Sequence, residues 1–355
     1  MATPIINQSS QSSAAARCMA QPLAANILIN ANGEPRFGHF ATPVTELAIP
    51  QFVYRNVMDK PASALAKYLH FKQFQFISIS HPDWQIGIAI ADIRYAGSAF
   101  CYFYDRHSNS LDEIELIRPF SLGVQMSPSP TVGTARINGA QSIAMTLQQY
   151  NWHLSLKGAL LSGELTLHGD VDSSPLALCT ATGYNGWTYT QKHNALPVSG
   201  KLHYRDTALD LTTALGGYDF SAGYMRRETS WRWGSISAHL PQGRFGLNLA
   251  NGVNETGNTE NCFWLNGSKQ LLPPVNIRLN RQQPAQPWQF VSTDKQLNLQ
   301  FQPTGCRQQR LNMGIVASNF RQYCGTFSGE LQLETGEKLA LNQVPGLAED
   351  HFARW

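Results

Sequence analysis

Charge is scarce in this chain. Asp, Glu, Lys and Arg make up 14% of its 355 residues, and the formal net charge is only +3. Globular proteins usually devote about a quarter of their residues to charge. No run of Lys or Arg occurs, which argues against a nucleic-acid partner. No apolar stretch approaches the roughly 18 residues of a membrane-spanning helix. The six cysteines, at 18, 101, 179, 262, 306 and 324, include no Cys-x-x-Cys pair, and the ten histidines include no His-x-His or His-x-x-x-His. Neither a metal site nor a bound cofactor is therefore expected. Phosphate-loop, dinucleotide and Ser/His/Asp nucleophile signatures are also missing. Unpaired cysteines in a long chain read as buried thiols in a reducing compartment, hence a cytoplasmic protein. Residues 1–25, rich in Ser, Ala and Gln with Arg17 as their only charge, lack the basic start and apolar core of a secretory signal. They are expected to form a flexible tail.

Glycine, asparagine, glutamine, serine and threonine are plentiful, and hydrophobic residues alternate over many short windows. Phe74 and Phe76 share one face of a strand, with Ile77 and Ile79 on the other. Ile86, Ile88 and Ile90 fall together in the next strand, and Phe100, Tyr102 and Tyr104 in the one after. Asn138-Gly139, Asn251-Gly252, Asn266-Gly267 and Thr335-Gly336 mark tight turns. Helix is expected only over Pro61–Leu69 and as one turn over Ala348–Trp355. The pattern predicts an all-β protein of two antiparallel barrels packed together, since closure removes exposed sheet edges. The expected division is 26–180 for the first barrel, 181–198 for a junction and 199–355 for the second.

The densest mixture of tryptophan, charge and glycine lies in 183–267. Period two over 226–235 places Trp231 and Trp233 on one face, and Arg226, Glu228, Ser230 and Arg232 on the other. A helix would put the two indoles about 200° apart, at roughly 100° per residue. Burying each indole is worth about 5 kcal/mol, so the register is pinned. Two readings stand side by side. Either the indoles are ordinary core and the charges a solvated face, or one of these faces lines a ligand cavity.

Within the same stretch, Tyr189-Thr190-Gln191-Lys192, Pro197-Val198-Ser199-Gly200, Tyr218-Asp219, Thr229-Ser230-Trp231-Arg232-Trp233, Gly246-Leu247-Asn248-Leu249 and Glu260-Asn261-Cys262-Phe263-Trp264 resemble the family named domain of unknown function 2804. So does the ending Glu349-Asp350-His351-Phe352-Ala353-Arg354-Trp355. At Gly234 that resemblance leads one to expect alanine. The family is similar, at a distance, to double-barrel proteins such as carotenoid hydratases, fungal Diels–Alder cyclases and a yeast ceramide-binding survival factor. The resemblance implies two lipocalin-like barrels and an apolar, lipid- or isoprenoid-like ligand.

Acid–base chemistry on such a molecule needs an acid in dry surroundings and aromatic faces to steady a cation. Asp219, following Gly216-Gly217-Tyr218 at an expected turn, is the first candidate acid, with Glu260 and His193 as further catalytic candidates. Trp231, Trp233, Tyr218 and Trp264 are candidates for the ligand wall. Lys192, Arg232, Asn248 and Asn261 are candidates to hold a polar group. Each has a plainer reading: Asp219 as a turn residue, Lys192 and His193 as exposed linker residues, Glu260 as a partner of Arg226 or Arg232. The expected function is binding of an apolar small molecule in a barrel cavity. The alternatives are a hydratase, isomerase or cyclase on such a molecule, and a protein whose barrels are filled by side chains. Oligomeric state is left open.

Overall fold

The computed structural model describes residues 21–148, 150–169, 174–253, 257–314 and 316–355. The first twenty residues of the expected tail lie outside them. Residues 21–25 are not loose, because the Leu23 N–H donates to the His39 carbonyl at 2.7 Å and its side chain packs on the core. The one described α-helix is Ala64–His70, capped by Ser63, whose Oγ accepts from the Ala66 N–H.

Everything else of regular form is strand apart from a short 3-10 turn, Ile49–Gln51. A fourteen-stranded antiparallel sheet curls into a nearly closed barrel, and a nine-stranded sheet forms a half-barrel packed against it. The first barrel is filled by the side chains the alternation assigns inward, among them Ile77, Ile79, Ile86, Ile88 and Ile90, with Tyr189 and Phe220. The second is filled by Ile236, Leu247, Phe290, Phe301 and Phe327 with their neighbours.

The change of sheet falls later than 181–198. That segment lies mostly within Gly186–Tyr204, which pairs with Leu215–Tyr224, and both strands belong to the first sheet. The second sheet starts with Glu228–Leu240. The halves are therefore unequal, fourteen strands against nine. Pairing partners far along the chain decide this, and local composition does not record them. The C-terminal segment is also a strand, Lys338–Arg354, paired on both sides. A single turn of helix would leave most of its backbone groups unpaired, whereas two neighbouring strands satisfy them.

Tight backbone contact joins the barrels. Gly186–Tyr204 carries a bulge between His193 and Leu196 that turns Asn194 toward the second sheet, where its Nδ2 donates to the Leu247 carbonyl at 2.6 Å and Ser235 Oγ at 3.0 Å. The Ala195 N–H donates to Ser237 Oγ. A Cβ on Gly246 would come within 2.9 Å of Asn194, so that glycine permits the approach. Gly234 has a comparable role inside the second barrel, since a Cβ there would meet Phe290 Cε1 at 2.6 Å. This explains glycine where the family resemblance suggests alanine. Gly234→Ala is expected to cost about 1–3 kcal/mol of overpacking. Urea unfolding measures it, and a midpoint shifted upward or unmoved contradicts the packing account.

Candidate functional site

The site lies between the barrels, on the faces that each sheet turns away from its own core. Register places its residues in rungs. On the first sheet, Lys192, Asp219, Phe76, Ala89, Phe100 and Glu115 are successive cross-strand partners. On the second, Trp233, Glu349, Gln322 and Arg307 form one rung, and Trp231, His351, Phe320 and Gln309 the next. Directly opposed residues on one face of an antiparallel sheet touch. Each rung therefore gathers residues distant in sequence.

Between the two sets of rungs is a cavity of about 250 Å³. Its apolar wall comes from Phe74, Phe76, Phe100, Trp231, Trp233 and Phe320. Phe76 meets Trp233 edge-on at 5.9 Å, and Phe100 meets Phe320 at 5.7 Å, so both barrels contribute to closing it. The Arg307 guanidinium, almost fully buried, stacks 3.9 Å from the Phe100 ring centre and 5.1 Å from that of Phe320, with its Nε 2.8 Å from Glu113.

Two polar groups converge on this apolar wall. Lys192 Nζ is 2.7 Å from Asp219 Oδ2 and 2.9 Å from Glu260 Oε2, all three side chains being largely buried. Burial alone would pull the lysine pKa down, but the two carboxylates outweigh it and hold it above its ordinary value. Asp219 also accepts from Ser221 Oγ at 3.0 Å. The second group is centred on Glu349. Trp231 Nε1 donates to its Oε1 at 2.7 Å and Gln322 Nε2 to its Oε2 at 3.0 Å, while Tyr102, from the other barrel, donates to Gln322 Oε1 at 2.7 Å. Burial pushes the Glu349 carboxyl up to about 7, against the pull of those hydrogen bonds and of Lys192. His351, two residues on and packed against Trp231 with ring centres 4.3 Å apart and planes tilted by 58°, is held down at about 3 by burial, so its ring is neutral. The arrangement can present a protonated carboxyl, aromatic faces and a fixed buried cation to one guest. Among the described residues, no group of three His, Cys, Asp or Glu is placed to hold a metal.

Of the residues singled out in the sequence, Lys192, Asp219, Glu260, Trp231 and Trp233 meet at this cavity. Their setting differs from expectation in three respects. The indoles face the other barrel rather than the interior of their own. Asp219 is in mid-strand, because Gly216 and Gly217 serve close packing: added Cβ atoms would strike Leu167 at 2.5 Å and Asn194 at 2.1 Å. Glu260 pairs with Lys192 rather than with Arg226 or Arg232, and Lys192 and His193 are buried rather than exposed.

The remaining candidates do not line the cavity. Tyr218 points into the first barrel, where it accepts from Gln191 and packs on Trp152. Arg232 reaches the Ile277 carbonyl and Asp350. Asn248 stands behind the wall, accepting from Trp233 Nε1 and donating to the Glu260 carbonyl. Asn261 braces the backbone at Ala250 and Pro273. His193 and Trp264 stack on each other at 4.9 Å, and Trp264 donates to the Ser174 carbonyl. Sequence reasoning missed Glu349, His351, Gln322 and Arg307. The signal for the first two was present: Glu349 and His351 are two apart, as strand neighbours on one face are. Reading that ending as helix concealed it.

No curated protein matches this chain. Among solved structures, kievitone hydratase from Nectria haematococca is similar, with a TM-score of 0.46 and 10% identity over 80% of this chain and 88% of that one. The family described as Domain of unknown function (DUF2804) matches residues 20–355, almost the entire length. The chain therefore belongs to the DUF2804 family.

Proposed function

We propose that this protein takes up an apolar small molecule into the cavity between its barrels. The observation that supports this best is the aromatic wall built jointly by both sheets around that space. The barrel interiors carry continuous cores of their own, which supports a guest between the barrels rather than within one of them. Its apolar body would lie against Phe76, Phe100, Trp231 and Trp233, with the buried cations Lys192 and Arg307 nearby for a polar end.

Protein purified from its own host should yield such a molecule by native mass spectrometry followed by organic extraction. Adding it back should quench tryptophan fluorescence, because Trp231 and Trp233 form the wall. Trp231→Phe should reduce that quenching. Failure to recover any apolar compound, combined with no fluorescence change across a panel of isoprenoids, fatty acids and aromatic ketones, contradicts the reading.

A second reading, catalysis on the bound molecule, is favoured by Glu349 alone. A carboxyl that keeps its proton near neutral pH is suited to protonate a carbon–carbon double bond. The O–H bond of Glu349 breaks as a C–H bond forms, and the cation that develops faces the rings of Trp231 and Phe320. Loss of a proton from a neighbouring carbon gives an isomer, and capture by water gives a hydrated product. Either way the proton returns to Glu349. Asp219 has a supporting part here: its charge adds to the forces that raise the Glu349 pKa.

A further inference from the structure

The cavity opens where the strands of both sheets end. Lys72, Ala96 and Ile117 mark that end on the first sheet, and Leu311, Ala317 and Arg354 on the second. The loops at this end are tied together. Lys72 Nζ donates to the carbonyls of Leu69 and Ile93, the Arg94 guanidinium lies 4.8 Å from the Tyr68 ring centre, and the Phe120 N–H donates to the Tyr95 carbonyl. Arg354 Nη2 donates to the carbonyl of Gly314, in the connection just before its strand partner Ala317.

From this end project Leu65 of the helix, Val57 and Met58 of the segment that Asn185 holds through the Arg55 and Asn56 carbonyls, and Phe120, Leu122 and Met313 of the connections, each between 65% and 73% exposed. Isolated exposed hydrophobics are ordinary, but six of them on the rim formed by these segments, at the end of the fold the cavity reaches, are not. The turn carrying Phe120 is rigid: Phe120 and Ser121 both hold left-handed φ angles, 52° and 55°, and Ser121 Oγ is fastened to Asp92. A bulky residue held outward at an unfavourable backbone angle points to a use for that position. In these segments and the element ends beside them, Arg55, Lys60, Lys67, Arg118 and Arg227 outnumber Asp59 and Glu228.

We infer that this rim docks on an anionic lipid bilayer, so that an apolar guest passes from membrane to cavity without crossing water. The apolar tips would enter the interface while the surrounding cations meet lipid headgroups. The purpose of the surface rests on the cavity reading, but its test does not.

The full chain should float with vesicles of mixed phosphatidylcholine and phosphatidylglycerol, at least about tenfold more than with phosphatidylcholine alone, since a few basic side chains suffice for that preference. High salt should weaken it. The combined variant Met58→Ser, Phe120→Ser, Leu122→Ser removes only exposed side chains and should lose flotation with an unchanged circular dichroism spectrum. No flotation with the anionic vesicles, or equal flotation by the variant, overturns the inference. So does a concentration-dependent dimer abolished by the same substitutions, which would show the rim to be covered by a second copy. Flotation without uptake of any apolar compound keeps this inference and removes the cavity reading; uptake without flotation does the reverse.

Discussion

Between pH 4.5 and pH 7 the parent protein is expected to lose about 3 kcal/mol of stability, at most, that a Glu349→Gln variant keeps. The sign follows from which state holds the proton more tightly. In the unfolded chain Glu349 titrates near 4.5, and in the folded protein near 7. Below 4.5 both states are protonated and the full contribution is present. As the pH rises through 7 the folded state must also ionise a buried carboxyl, and the contribution is gone. Glutamine cannot ionise, so the difference between the two proteins isolates this one group.

The substitution should be tolerated. A protonated Glu349 and a glutamine both present one donor atom and one acceptor atom where the carboxylate presents two acceptors, the amide nitrogen carrying a second N–H. Gln322 can meet that by turning its amide over, with Tyr102 OH changing from donor to acceptor. Urea unfolding at a series of pH values makes the measurement, and parallel curves would place the carboxyl in contact with water. Where the extracted molecule is turned over, the rate should decline as pH rises through about 7, and Glu349→Gln should slow it at least ~10²-fold with binding retained. Asp219→Asn should move the pH midpoint downward, because the Asp219 charge helps to keep Glu349 protonated.

Lys192→Met is expected to destabilise the protein by about 3–5 kcal/mol. The substitution leaves the largely buried Asp219 and Glu260 facing each other with no cation between them. Adding Asp219→Asn and Glu260→Gln to Lys192→Met should recover most of the loss, because neutral amides tolerate burial far better than unpaired charge. Chemical denaturation of the single and triple variants reads both effects. A single variant within about 1 kcal/mol of the parent would mean that the trio is hydrated and behaves as a surface pair. Recovery in the triple variant would assign the loss to the two unpaired carboxylates rather than to a missing link between Lys192, in the first sheet, and Glu260, just ahead of a strand of the second.

The alternation of side chains decided a good deal. Phe74 and Phe76 opposite Ile77 and Ile79, the run Ile86, Ile88, Ile90, and the pair Trp231 and Trp233 all take the faces that period two assigns them. A strand leaves its side chains no other choice, and the energy of burying so many rings holds the register. Sequence alone thus determined an all-β chain, which residues share a face, and that aromatic and charged side chains are concentrated between 183 and 267.

Which way each face points was settled only by the packing of one sheet on the other. A strand with rings on one side and aliphatic groups on the other has two apolar faces, and nothing local says which belongs to the barrel and which to its neighbour. Trp233 thus met Phe76 rather than Phe290, and Glu349, an apparent member of a terminal helix, became the rung partner of Trp233 and Gln322. Lys192 found Glu260 because the bulge at Asn194 lets the second sheet approach the strand that carries the lysine. Contacts of that kind join residues tens or hundreds of positions apart, and their free energy exists only once both surfaces are in place.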